Sequence, residues 1–207
     1  MKVYITSKQY ELINKTLLVM TQLYYNDFFP MFQLIAKNYG VDTADAKRAS
    51  DIISSLHLTE SNKAKAKQVR ELHVDFLLNA DPVEEGGYWY AMEIDGSNIT
   101  LLGNVMDAFS RIMMGQFRIL FEVVDVKISD SPRMIQMYHD VYWEGGHRAK
   151  EARDLLLPKI KKFGWYGGFG ISNPEVAEDS RLAYQISRAL RREYVLPVTQ
   201  EPLVQLR

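Results

Sequence analysis

The residues best suited to chemistry lie in a segment that mixes aromatic rings with glycines. Residues 163–170 read FGWYGGFG. Aromatic faces stack on planar molecules, while glycines allow positive φ angles and close backbone approach. This pattern predicts a stacking platform for a nucleobase, or an anchor at an oligomer interface, formed by Trp165, Tyr166 and Phe169. The alternative is structural, with the same rings folded back as a hydrophobic plug against the last helix.

Arginines elsewhere in the chain could supply the positive charge that a phosphorylated ligand needs. Guanidinium groups form paired hydrogen bonds with phosphate oxygens. Arg181 and Arg188 fall on one face of the last predicted helix, and Arg111 precedes Gln116 on an apolar stretch. We predict all four as ligand contacts, with Gln116 aligning a base edge or amide. The alternatives are a solvated basic stripe on the last helix and, for Arg111, a clamp on a carboxylate of another helix.

One cluster of side chains resembles a metal or acid–base site. It contains His139, Asp140, Glu144, His147 and Glu151. Zinc-binding helices place two histidines one turn apart, whereas these two are eight residues apart with two glycines between them. We therefore expect no metal ion and no cofactor. The chain also lacks a P-loop, a nucleophile elbow and a dinucleotide-binding motif, so no catalytic residue is assigned, although an enzyme is not excluded.

Composition narrows the class of protein. The 207 residues carry 25 basic and 26 acidic side chains, a net charge of -1, which argues against generic nucleic-acid binding. The absence of cysteine excludes disulfides and thiolate zinc sites. The N-terminal residues lack the apolar core of a signal peptide, and no apolar run is long enough to span a bilayer. We expect a cytoplasmic protein that does not enter membranes.

Hydrophobic periodicity predicts a predominantly α-helical α+β fold with two short strands, at residues 2–6 and 88–94, and eight or nine helices. Ser97 is the expected cap of the helix that follows the second strand. In the helix from about Glu60 to Leu78, Val74 is expected to face the core with Phe76. Residues 81–87, DPVEEGG, are the best candidate linker because they combine proline, glycines and acids.

The chain also contains an apparent internal repeat. Aligning Ile5 with Ile94 places Leu17 opposite Met106 and Phe28 opposite Phe117 without a gap. We predict two strand-plus-helices repeats, 1–80 and 88–162, followed by 163–207 with the aromatic-glycine segment and a last helix from Pro174 to about Tyr194. The alternative is that helices of equal period align by chance. Exposed edges of so small a sheet would pair between subunits, so a homo-oligomer is expected.

Two further segments are AFSRIMMGQF at 108–117 and GISNPEVAEDSRLAYQISRALR at 170–191. Both resemble a family of phage and prophage accessory proteins that has no named activity. The resemblance implies a phage-associated origin, hence the host cytoplasm, and an α-rich fold, and it brings no catalytic residue with it.

Three functions remain open from the sequence. The leading one is a non-enzymatic phage-type accessory protein that binds a small nucleotide-like molecule and sequesters a host defence signal. The second is a protein-interaction module that inhibits a host factor through its aromatic surface. The third is a metal-dependent hydrolase that uses His139, Asp140 and His147.

Overall fold

The fold is predominantly helical with one small sheet, as the periodicity predicts. The computed structural model describes residues 2–54, 61–85, 88–117, 119–122, 146–157, 176–191 and 204–206. Its elements in chain order are β1 (Lys2–Ile5), α1 (Ser7–Tyr24), α2 (Phe29–Tyr39), α3 (Thr43–Ser54), α4 (Ser61–Asn79), β2 (Ala80–Glu85), β3 (Tyr88–Glu93), α5 (Gly96–Met113), α6 (Ile119–Glu122), α7 (146–156), α8 (Glu178–Leu190) and β4 (Val204–Leu206). No helix among these residues is long and apolar enough to cross a membrane.

The strands form one antiparallel sheet in the order β2-β3-β1-β4. This corrects the expectation of two strands. It also corrects the candidate linker, because Asp81 to Glu85 form most of β2; residues 86–87 lie outside the described part. Proline and acidic side chains are tolerated on an edge strand, where one side of the backbone is unpaired. Strand β1 is paired on both sides within the chain, so its edges cannot join subunits.

Helices α1 and α5 begin with side-chain caps at equivalent positions. Thr6 Oγ1 accepts from the Gln9 N–H at 3.2 Å while Gln9 Oε1 accepts from the Thr6 N–H at 2.8 Å, which is a capping box. Asp95 Oδ1 accepts from the Asn98 N–H at 2.7 Å. The cap of α5 is therefore Asp95 and not the predicted Ser97, whose hydroxyl instead bonds to Asp95 at 2.6 Å. These two bonds hold the pKa of Asp95 below its ordinary value.

The chain divides into two compact units that each draw on several segments. The first contains Met1–Thr21, Lys67–Ser110 and Glu178–Arg207, and the second contains Gln22–Ala66 and Arg111–Ala177. The limits Thr21 and Ser110 differ by 89 positions, the same offset that aligns Ile5 with Ile94. The predicted repeat limits of 1–80 and 88–162 stay a prediction.

Within the first unit, the strand pair β1–β3 has the register of a local two-fold axis. Val3 pairs with Met92, the residue 89 positions later in the chain. The pairs on either side of it are Lys2 with Glu93 and Tyr4 with Ala91. The offset of 89 relates these two pairs to each other, because it matches Lys2 with Ala91 and Tyr4 with Glu93. A small apolar void is lined by three pairs of residues that are 89 positions apart: Val3 and Met92, Ile5 and Ile94, and Ile13 and Leu102. Ile186 and Leu190 of α8 complete its lining.

Within the second unit, α1 and α5 end in the same turn. Asn26 and Gly115, again 89 positions apart, both take positive φ, 67° and 85°. Each turn has the paired backbone hydrogen bonds of a Schellman motif, in which the two N–H groups after the helix bond back to its last turn. The bonds run from Asn26 to Leu23 and from Asp27 to Gln22, and from Gly115 to Ile112 and from Gln116 to Arg111, at 2.9 to 3.0 Å.

Two elements differ from the sequence prediction. Val74 is 47% exposed, whereas Leu72 and Phe76 are buried. Side chains two positions apart on an α-helix point in directions about 200° apart, so Val74 and Phe76 cannot both face one core. The last helix begins at Glu178, not at Pro174, because Val176 and Ala177 are not helical; the Ala177 N–H instead donates to the Tyr39 hydroxyl at 3.2 Å. Residues 172–175, the predicted cap, lie outside the described part.

Tyr24 should make the protein sensitive to alkali. Burial raises the pKa of Tyr24 from 10.0 to about 12. The folded state therefore binds more protons than the unfolded state between pH 10 and 12, and stability falls as pH rises through that window, by about 3 kcal/mol at most. Chemical denaturation across this range should show the loss. Tyr24→Phe should reduce it, whereas Tyr25→Phe, at a residue 49% exposed, should not; equal curves for both variants would contradict this origin.

Candidate functional site

An open groove lies between α3 and α7 in the second unit. Its volume is about 820 Å³. The lining combines basic, acidic and aliphatic side chains from two helices about 100 positions apart in the chain: Arg48, Asp51 and Ile52 from α3, and His147, Lys150, Glu151, Asp154 and Leu155 from α7.

Helical geometry explains why α7 presents this set on one side. His147, Lys150, Glu151, Asp154 and Leu155 follow one another at intervals of three, one, three and one. Positions three and four apart lie on the same face of an α-helix. A different face of α7 is buried, at Ala149, Ala152 and Leu156. The polar residues of α7 thus lie away from its buried face and form one wall of the groove.

The α3 wall is fixed by polar bonds at both ends of the helix. Asp42 Oδ1 accepts from the Ala44 N–H at 2.8 Å at the helix start. Near its end, Arg148 of α7 donates from Nη1 to the Ile52 carbonyl at 3.4 Å. A guanidinium is favourable at a helix C-terminus because the carbonyls there carry partial negative charge. Arg148 thus ties α7 to the last turn of α3, on the Ile52 side of the groove.

Several charged groups of the groove are already in ion pairs. Asp51 pairs with Lys47, and Arg48 pairs with Asp45, each within α3. Asp154 pairs with Arg153 at 3.0 Å. Within the described part of the chain, Lys150 has neither an ion pair nor a hydrogen bond, and it is exposed. Its ammonium is accordingly the groove cation that can bind an anion without giving up a partner.

Arg111 and Gln116, two of the predicted ligand contacts, are brought together. Arg111 Nε donates to Gln116 Oε1 at 2.6 Å across the turn that ends α5. A Cβ added at Gly115 in this turn would lie 2.7 Å from Leu157 Cδ1 and 3.2 Å from Arg153 Cδ. The Arg111–Gln116 bond therefore fixes a turn against which α7 packs. This resembles the structural alternative for Arg111, with an amide oxygen in place of a carboxylate.

Arg181 and Arg188 belong to the first unit, whereas Arg111 and Gln116 belong to the second. Arg188 is exposed and lies 5.9 Å from the Tyr184 ring centroid, a cation–π contact within α8. Arg181 is partly buried. At the start of α8, Glu178 pairs with Lys8, and Asp179 pairs with Lys15 at 2.6 Å. These carboxylates surround the helix N-terminus, as expected for groups that complement its dipole.

Trp165, Tyr166 and Phe169 lie outside the described residues, as do His139, Asp140 and Glu144 of the suspected metal cluster. His147 and Glu151 of that cluster both line the groove. Among the residues that the structure describes, no group of three His, Cys, Asp or Glu side chains could hold a metal ion. Arg48, Asp51, Lys150 and Asp154 were missed by the sequence analysis. The helical spacing of the α7 residues was the available signal.

Comparisons of the chain with protein-family models, with curated proteins and with solved structures found no match. Function is therefore inferred from the chemistry of the described side chains.

Proposed function

We propose that this protein binds a small, phosphorylated, nucleotide-like molecule in the groove between α3 and α7. The observation that supports this proposal is the size and the charged lining of the groove. A volume of about 820 Å³ lies within the roughly 300 to 1,000 Å³ that small-molecule sites occupy. Lys150 supplies an unpaired cation for a phosphate group, and Arg48 and His147 line the same space.

The acidic lining suits the rest of such a ligand. Glu151 and Asp51 can accept hydrogen bonds from ribose hydroxyls or from the amino groups of a base. Ile52 and Leu155 offer apolar surface to the ring. The aromatic-glycine segment begins seven positions after the end of α7, and Trp165 is ten positions after Leu155. In the proposal, Trp165, Tyr166 and Phe169 stack on the base.

Binding without chemical conversion is the simplest role for this groove. Two of its three carboxylates, Asp51 and Asp154, are held by basic neighbours. We propose that the protein acts as a phage-type accessory protein in a host cytoplasm and lowers the free concentration of a nucleotide signal.

The proposal predicts a ligand-dependent rise in melting temperature. Wild-type protein should be screened with mononucleotides, cyclic nucleotides and dinucleotides, with inorganic phosphate and unphosphorylated nucleosides as references. At least one nucleotide should stabilise the fold, since a ligand that binds the folded state alone raises its stability. Nucleosides should give little effect because they lack the charge that Lys150 binds.

Lys150→Glu should weaken binding of the stabilising nucleotide by roughly 10- to 100-fold, since hydrogen bonds to charged groups contribute about 1.5 to 3 kcal/mol. Lys37→Glu makes the same charge change at an exposed position of α2 in the same unit and should bind like the wild type. Calorimetric titration measures both. Equal affinity in Lys150→Glu and wild type would overturn the assignment to this groove.

A further inference from the structure

The charges that line the groove between α3 and α7 limit how much negative charge a ligand can bring. Among its described lining residues, Arg48 and Lys150 are basic, whereas Asp51, Glu151 and Asp154 are acidic. Arg48 and two of the acids already have ion-pair partners on their own helices. Within this described lining, Lys150 and Glu151 are the charged groups left without such a partner, and both are exposed. The groove therefore offers a ligand one unpaired cation and one unpaired carboxylate.

Helical spacing places carboxylates beside Lys150 on the groove wall. Glu151 is the next residue, and Asp154 lies one turn further along α7 at a spacing of four. Glu151 in turn lies one turn before Leu155, which together with Ile52 gives the groove its aliphatic surface. A ligand with a phosphate on Lys150 and a ring on the aliphatic surface therefore lies beside Glu151.

We infer that the ligand carries a single phosphate group, as a nucleoside monophosphate or its cyclic phosphodiester does, and that Glu151 disfavours longer phosphate chains. The inference rests on the proposed nucleotide binding in this groove. One phosphate group takes up the charge of Lys150. Each further phosphate adds negative charge for which the described lining has no other unpaired cation. Like charges held close together weaken binding, so Glu151 opposes the addition.

Sites for nucleoside triphosphates have a different construction. P-loop proteins surround the β and γ phosphates with backbone N–H groups, a lysine and Mg²⁺. This sequence contains no P-loop. The side chain that follows Lys150 is a hydrogen-bond acceptor, which suits a ribose hydroxyl or the amino group of a base and not a second phosphate. Glu151 is thus a specificity-determining residue that accepts neutral donors and disfavours added negative charge.

Calorimetric titration with the mono-, di- and triphosphates of adenosine and guanosine tests this selection. In the absence of divalent cations, the affinity of the wild type should fall roughly 10-fold with each added phosphate. Glu151→Gln keeps the size of the side chain and removes its charge, so it should reduce the preference for the monophosphate over the triphosphate by roughly 10-fold. Glu11→Gln makes the same change at an exposed position of α1, in the first unit, and should keep the wild-type preference.

The preference is a ratio measured within each variant, so a loss of folded protein would not imitate the expected change. A triphosphate that binds as tightly as the monophosphate, with or without Mg²⁺, would overturn the inference of a single phosphate and leave nucleotide binding in the groove intact. An unchanged preference in Glu151→Gln would overturn the role given to Glu151. Failure of all these nucleotides and of the cyclic monophosphates to bind would overturn both this inference and the function on which it rests.

Discussion

Gly115→Ala is expected to destabilise the protein by about 2–5 kcal/mol. Gly115 has a φ of 85°, where a side chain costs about 1–2 kcal/mol. Its new Cβ would also lie 2.7 Å from Leu157 Cδ1 and 3.2 Å from Arg153 Cδ, so the buried Leu157 side chain and Arg153 of α7 must move, at a further cost of about 1–3 kcal/mol. Urea denaturation of the variant and the wild type gives the difference.

Substitutions at two other glycines distinguish the backbone cost of a positive φ from the steric cost of the new Cβ. Gly40 has a φ of 65° with no atom within 4 Å of an added Cβ, so Gly40→Ala should lose only the backbone part, about 1–2 kcal/mol. Gly96 has open space and no positive φ, so Gly96→Ala should change stability by less than about 0.5 kcal/mol. If Gly115→Ala cost no more than Gly40→Ala, α7 would not pack on this turn as described.

Phe28→Ala and Phe117→Ala are each expected to cost about 3–5 kcal/mol, since both side chains are 1% exposed. The two phenylalanines are 89 positions apart and both contact Phe32, with ring centroids at 6.3 Å from Phe28 and 5.1 Å from Phe117. If the repeat places them equivalently, the two losses should agree within about 1 kcal/mol.

Chemical denaturation measures these losses, with Leu18→Ala as the surface reference, expected to cost under about 1 kcal/mol. The double variant should lose less than the sum of the single losses, because both rings pack on one neighbour. A loss near zero at Phe117, with a full loss at Phe28, would show that the two turns are not energetically equivalent.

Helix ends can be predicted from the sequence where local chemistry decides them. Thr6 caps α1, Pro30 lies in the first turn of α2 and Gly40 ends it, because capping and positive-φ preferences act within a few residues. The offset of 89 was visible because the apolar periods of α1 and α5 match position by position. The sequence predictions were wrong where residues distant in the chain determine the local structure, as in the candidate linker. Strand β2 forms because β3 pairs with it, which composition alone does not reveal.

The candidate site was harder to predict. His147 and Glu151 were recognised as chemically able residues, but as members of a metal cluster. Their actual neighbours, Arg48 and Asp51, come from a helix about 100 positions earlier in the chain. A single sequence shows which residues share one face of α7, but it does not show which helix that face meets. Arg111 lies at the turn that ends α5 and donates a hydrogen bond to Gln116. The sequence alone does not distinguish such a turn contact from a ligand contact, and the predicted ligand contact stays a prediction.

The most direct test of nucleotide binding is mass spectrometry of small molecules released by denaturing the purified protein. Protein purified from cells in which the chain acts should release an intact phosphorylated nucleotide in near-stoichiometric amount. The Lys150→Glu variant, purified in parallel, should release little of it. Wild-type protein that releases no such molecule, and whose melting temperature no nucleotide raises, would contradict the account.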